Sequence, residues 1–170
     1  VVLAVPVVLV VSATPTSAAI CQGCVVVSAP TIGLNAMAQP GLQNVIDQPD
    51  GVAVYTPLTT ALFGGGGTVW LAGHRTTHGA VFVSVPSLMP GDPVNLIGDA
   101  GVHQYAVSRL LIVSESDWES QVNIYDSSRP RLILQTSHPD SRLRYLVEAF
   151  GDVAPTVAPA VPAAPPAPPP

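Results

Sequence analysis

The chain has 170 residues, 48% of them apolar and 10% charged, with a formal net charge of −5. That length holds one domain with a real core and is too short for two domains plus irregular ends. The six basic residues are all arginine and form no stripe, which argues against nucleic acid as a partner and against attraction to anionic lipid head groups.

Residues Val1 to Ala13 are almost wholly apolar. The run is too short to span a bilayer but suits the apolar region of a secretory signal. Thr16-Ser17-Ala18-Ala19 offers the small residues a signal peptidase needs. The alternative is a longer membrane anchor. Residues 1–24 therefore read as a signal-peptide remnant, or a membrane anchor, with a linker. Either places the domain outside the membrane, touching it only through this segment. Cys21 and Cys24 form one Cys-x-x-Cys pair with no second pair or His cluster at zinc spacing, so they read as a local disulfide or as free thiols.

Residues 25–151 are expected to form the folded domain. Val25-Val26-Val27, Ile32-Gly33-Leu34, Thr68 to Ala72, Pro93 to Ile97, Tyr105 to Val113, Arg131 to Thr136 and Arg144 to Ala149 read as strands. They are rich in β-branched and large apolar residues and are bounded by Gly, Pro, Asp or Ser. Leu42 to Ile46 and Ser84 to Leu88 read as short helical turns. No stretch keeps a 3.6-residue apolar period, so the class is all-β, a single sandwich or barrel. Gly64-Gly65-Gly66-Gly67 lacks the following Lys-Ser/Thr of a phosphate-binding loop and reads as a flexible connection. Ser114 to Pro130 is the longest polar connection, of a length that often forms a functional wall or lid. Residues 152–170 are almost entirely Ala, Val and Pro. Proline supplies no amide donor, so this tail is expected to be extended and disordered.

Two blocks carry chemistry. The first is Leu71-Ala72-Gly73-His74-Arg75-Thr76-Thr77-His78-Gly79-Ala80-Val81-Phe82. The second is Leu132-Ile133-Leu134-Gln135-Thr136-Ser137-His138-Pro139-Asp140-Ser141-Arg142-Leu143-Arg144-Tyr145-Leu146-Val147. Each places polar residues at the end of an apolar strand, where a rigid element holds a side chain that a turn leaves open to substrate. Together they supply an imidazole, a hydroxyl and a guanidinium: a base or acid, a nucleophile and an oxyanion stabiliser. Gly73 allows a close approach beside His74. Arg142, two residues before Arg144, competes with it because both would point the same way on an extended chain. Arg75 reads as a structural hydrogen-bonding or ion-pairing residue. His78 and His103 have no evident partner, and no dense acidic set for calcium is present. No cofactor and no metal are implied.

The same blocks resemble the sortase family, over most of Thr31 to Ala149. The run around His74 is similar to the block holding the essential sortase His, and Arg144 stands where sortases carry their essential Arg. Ile133-Leu134-Gln135-Thr136-Ser137 is similar to the sortase Thr-Leu-x-Thr-Cys motif, with Ile for the first Thr and Ser for the nucleophilic Cys. Pro30 to Ala36 and Leu88-Met89-Pro90-Gly91-Asp92 also match. The pattern around His74 and His138-Pro139 is nearest the class E type, which usually has Tyr where this chain has His78. The resemblance implies a closed β-barrel of about eight strands with short helical turns. It implies a catalytic trio of His74, Ser137 and Arg144. It further implies cleavage of a Leu-Pro-x-Thr-Gly or Leu-Ala-x-Thr-Gly sorting signal between Thr and Gly, with transfer of the acyl group to an amine of a cell-wall precursor or pilin. The implied place is the outer face of the membrane or the cell envelope.

Ser at position 137 changes the chemistry. A thiol with an unperturbed pKa of about 8.5 is held as thiolate by a nearby imidazolium. A hydroxyl stays protonated and needs a base, itself oriented by a carboxylate. No Asp partner for His74 is evident; Asp140 is near Ser137 in the chain. Three readings stay open: a Ser that traps bound substrate, a degenerate member that binds but barely reacts, and a slow Ser-dependent acyl transferase.

Overall fold

The computed structural model describes residues 22–56, 58–60, 66–99, 101–116 and 128–151. The N-terminal apolar run, Cys21, Gly64 and Gly65 of the glycine run, the middle of the 114–130 connection and the Ala/Pro tail lie outside the described residues. Among the described residues eight strands occur: β1 Val25–Ala29, β2 Leu34–Gly41, β3 Val52–Tyr55, β4 Gly67–Gly73, β5 Pro93–Gly98, β6 Gly101–Ser114, β7 Pro130–Ser137 and β8 Leu143–Gly151. They close into a barrel in the order β1-β2-β3-β4-β7-β8-β6-β5, and β5 pairs with β1 to complete the ring. The expected all-β closed barrel is therefore the observed one. Both expected helical turns are present, as α1 Gln43–Ile46 and a 3₁₀ turn at Val85–Ser87. No helix among the described residues is long and apolar enough to cross a membrane.

Two strands differ from expectation. Ile32-Gly33-Leu34 is not a strand: Pro30–Ile32 forms a 3₁₀ turn that Gly33 ends at φ 66, and β2 starts only at Leu34. The continuation of β2 through Gln39-Pro40-Gly41 is poor in the usual strand signals, and β3, Val52-Ala53-Val54-Tyr55, carries them over only four residues. Partners on both sides hold them, β2 antiparallel to β1 and parallel to β3, and β3 antiparallel to β4.

The barrel interior is filled by alternate residues. Val69 and Leu71 of β4 meet Leu132 and Leu134 of β7, with Val25, Val27, Leu96, Phe82 and Val147 completing the cluster. Strand alternation sends the residues between them to the outer face. There Trp70, Ile133 and Leu146 form a second cluster with Leu58 and Val113. The fully buried Trp70 donates its indole N–H to Gln135 Oε1 at 2.7 Å. Trp70→Phe removes that hydrogen bond and leaves space where the larger ring was fully buried. It is expected to cost about 1–3 kcal/mol, from the lost bond and the cavity together, read as a lower midpoint in denaturant unfolding. Further along the same strands Glu148, 2% exposed, takes Arg109 at 2.6 Å and the buried Arg131 at 3.4 Å, so the buried charges are paired.

Cys24 is disulfide-bonded, and Cys21 is the chain's only other cysteine. Cys24 is therefore not a free thiol.

Candidate active site

The register of three neighbouring strands builds the site. β4 and β7 run parallel, with Trp70 opposite Ile133 and Ala72 opposite Gln135. The next outward position on each strand is His74, one residue past the end of β4, and Ser137, the last residue of β7. β8 lies antiparallel to β7, with Ser137 directly opposite Arg144. Alternation thus places an imidazole, a hydroxyl and a guanidinium on one outer face, in one row across three strands. All three line a single cleft of ≈ 130 Å³, with Gln43 and Ile46 of α1 as the facing wall and Ala72 and Gln135 as the floor.

Hydrogen bonds fix the two chain ends against each other. Thr136, 2% exposed, donates its hydroxyl to the Gly73 carbonyl at 2.8 Å. Arg75 donates Nε to the Ser137 carbonyl at 2.7 Å, which ties the turn bearing Ser137 to the one bearing His74. The structural role expected of Arg75 is the observed one. The chain after His74 folds back, with Phe82 N–H bonded to the His74 carbonyl at 2.9 Å. Gly73 permits this, since a Cβ there would stand 3.0 Å from the Phe82 ring.

His74 has a carboxylate partner, and it is Asp47, at the C-terminal end of α1. Asp47 Oδ1 lies 2.9 Å from His74 Nε2. The bond to His74, and then one from the Gln43 side-chain amide at 2.7 Å, hold the Asp47 carboxyl below its ordinary pKa of 3.8. Asp140 does not serve His74. It bonds the Arg142 guanidinium and backbone N–H, which hold its pKa down to about 2.

That pair also sets the two arginines apart. Arg142 lies in the turn before β8, so strand alternation does not govern its direction; its side chain is 85% exposed and committed to Asp140. Arg144 is 20% exposed and faces the cleft. It donates Nη1 to the Ser141 and Leu143 carbonyls at 2.7 and 2.8 Å, and Nη2 to Glu115 at 2.5 Å. Three of its five donor hydrogens are thereby engaged, so two remain for a substrate oxygen. Glu115 belongs to the polar connection expected to wall a site, and it reaches the cleft through Arg144.

His78 also gains a partner that its sequence did not reveal. Its ring stacks on His74, centroids 4.5 Å apart and planes at 24°. The turn holding it is unusual: His78, Gly79 and Ala80 take φ values of 49, 83 and 53 in succession. For Ala and His that region costs roughly 1–2 kcal/mol each. Asp50 pins the turn, donating its backbone N–H to the His78 carbonyl at 2.9 Å. Gly79 is required there, because a Cβ would fall 1.9 Å from Asp50 Oδ1. His103 is 8% exposed, and its Nε2 has no hydrogen-bond partner among the described residues.

A model of the sortase domain matches residues 27–150. The chain belongs to the sortase family. No curated protein matches this sortase by sequence. Solved structures do. The sortase D5 transpeptidase of Clostridium perfringens superposes with a TM-score of 0.66 at 21% identity, over 76% of this chain and 79% of that one. Sortase C1 of Streptococcus agalactiae gives 0.67 at 21%, over 78% and 68%. Sortase E1 of Streptomyces coelicolor, solved with a tripeptide in its active site, gives 0.64 at 25%, over 76% and 88%. Sortases are cysteine transpeptidases of the Gram-positive envelope, which makes this sortase a member of a transpeptidase family. Asp47 and Glu115, which bond the cleft residues His74 and Arg144, have roles that the sequence did not reveal. Asp47 lies 27 positions from His74, with no motif linking them.

Proposed function

We propose that this cleft performs sortase acyl transfer with Ser137 in place of the thiol, and that His74, Ser137 and Arg144 are its catalytic residues. The observation that carries the reading is the single row in which the three side chains line one cleft. The substrate is a C-terminal sorting signal of the Leu-Pro-x-Thr-Gly or Leu-Ala-x-Thr-Gly type. Ser137 Oγ attacks the Thr carbonyl carbon and its proton passes to His74. With a carboxylate on Nε2, the neutral ring carries its proton there and leaves Nδ1 as the base. Arg144 steadies the oxyanion with its remaining donors. The Thr–Gly C–N bond breaks, and His74 returns the proton to the Gly amine. An amine of a cell-wall precursor or pilin then attacks the ester, loses a proton to His74 and regenerates the Ser137 hydroxyl. Residues 25–151 are the catalytic barrel, residues 1–24 export or anchor it, residues 152–170 form the tail, and the reaction takes place at the outer face of the membrane.

One observation favours a second reading, a sortase-like module that binds sorting or cell-wall peptides without reacting. Among the described residues no hydrogen bond joins Ser137 Oγ to His74, and Asp47 is 46% exposed where a serine triad has a buried carboxylate. Mass spectrometry after incubation with a sorting peptide and an amine separates the two. An adduct on Ser137 or a transpeptidation product supports the enzyme. Binding with neither supports the module.

A further inference from the structure

The stacked His74–His78 pair and its carboxylate neighbour have a chemistry of their own. Nitrogen atoms of His74 and His78 and an oxygen of Asp47 all lie within 4.8 Å of one another. In a tetrahedral zinc site with ligand bonds of about 2.0–2.1 Å, donor atoms stand about 3.3 Å apart. Asp47 and His74 are already 2.9 Å apart, and the set closes when the exposed His78 ring leaves its stack on His74 and turns a nitrogen edge-on toward them. The donors come from three separate segments: the end of α1, the end of β4, and the left-handed turn at 78–80. That turn holds a strained conformation whose visible effect is to bring His78 over His74, and strain of this kind concentrates at functional sites. The His78 side chain makes no hydrogen bond among the described residues, and both it and Asp47 are exposed, which gives an ion a way in.

We infer that Asp47, His74 and His78 form a binding site for a divalent transition ion of the zinc class. Two imidazoles and one carboxylate are the donor set of borderline ions, whereas calcium and magnesium select oxygen. Three protein ligands leave a fourth position to water, on the edge of the cleft that Ser137 and Arg144 line. An ion held on His74 removes that imidazole from proton transfer, so metal occupancy and peptide transfer exclude one another. This consequence rests on the proposed function; the site itself does not.

The test uses the full chain without a polyhistidine tag. Zinc is titrated calorimetrically, and cobalt(II) is followed by its visible absorption, in the wild type and in His78→Asn, Asp47→Asn and His138→Gln. Asn suits position 78 because it tolerates positive φ. The expected result is one ion per chain and tetrahedral cobalt bands in the wild type and in His138→Gln. Affinity falls by more than about a hundredfold in His78→Asn and in Asp47→Asn, beyond the range for losing an outer partner of a ligand. Absence of a bound ion in the wild type, or unchanged affinity in His78→Asn with its fold verified by circular dichroism, overturns the site. Neither measurement uses a peptide, so the metal site and the acyl-transfer reading fail separately. A wild type that binds zinc yet transfers peptide equally fast at saturating ion overturns only the mutual exclusion.

Discussion

Ser137→Cys is expected to raise cleavage of a fluorogenic sorting peptide by at least about a hundredfold, the lower end of what one positioned proton-transfer group supplies. The cleft explains the direction. A serine hydroxyl must lose its proton as it attacks, so its rate depends on how well the base is held and how free that base is. His74, the proposed base, spends Nε2 on Asp47 and makes no hydrogen bond to Ser137 Oγ among the described residues. Asp47 is half open to water, so it orients the ring less firmly than a buried carboxylate does. A thiol needs much less. With a pKa near about 8.5 it ionises beside an imidazolium, and the pair then stands ready before substrate arrives. A cysteine therefore asks less of the Asp47–His74 contact than a serine does. An unchanged rate in Ser137→Cys counts against position 137 as the nucleophile, whichever residue occupies it.

The row of His74, Ser137 and Arg144 was legible in the sequence because it obeys a simple rule. Ser137 and Arg144 close two apolar strands joined by a tight turn, so antiparallel pairing brings them opposite. His74 ends a strand that pairs in parallel with the first, and period-two alternation does the rest. The barrel was legible for the same reason: most of its strands are β-branched or large apolar runs between turn residues. What escaped has no local pattern. β2 runs through Pro40 and Gly41 and gains its strand conformation from β1 and β3, which is tertiary structure overriding propensity. Asp47 caps a four-residue helix and meets His74 only because α1 packs against β2 and β3 beside the end of β4. Arg142 looked equivalent to Arg144 on the assumption of an extended chain; the strand begins one residue after it, at Leu143. His78 is four residues from His74, a spacing that suggests contact on a helix. The contact exists, but a run of three left-handed residues makes it.

Arg144→Ala is expected to lower the turnover of that peptide by roughly 10²–10³, the loss seen when one preorganised oxyanion donor is removed. The effect falls mainly on kcat, because the charge Arg144 meets is fullest in the transition state. Its environment makes this a test of positioning as well as of charge. The guanidinium is held by two backbone carbonyls of its own turn and by Glu115, so its plane is set before substrate arrives. Arg144→Lys keeps the charge but cannot satisfy those carbonyls, Glu115 and a substrate oxygen together with only three donors. It is therefore expected to recover only a small part of the lost rate. Arg142→Ala is the comparison: its side chain is 85% exposed and bonded to Asp140, and the change should leave kcat within about twofold, as surface substitutions away from special features do. Steady-state kinetics on the three variants, with thermal unfolding to verify the fold, separate the two arginines. If Arg142→Ala is the damaging change and Arg144→Ala is silent, the oxyanion role belongs on the turn and not on β8, and the row across three strands loses its third member.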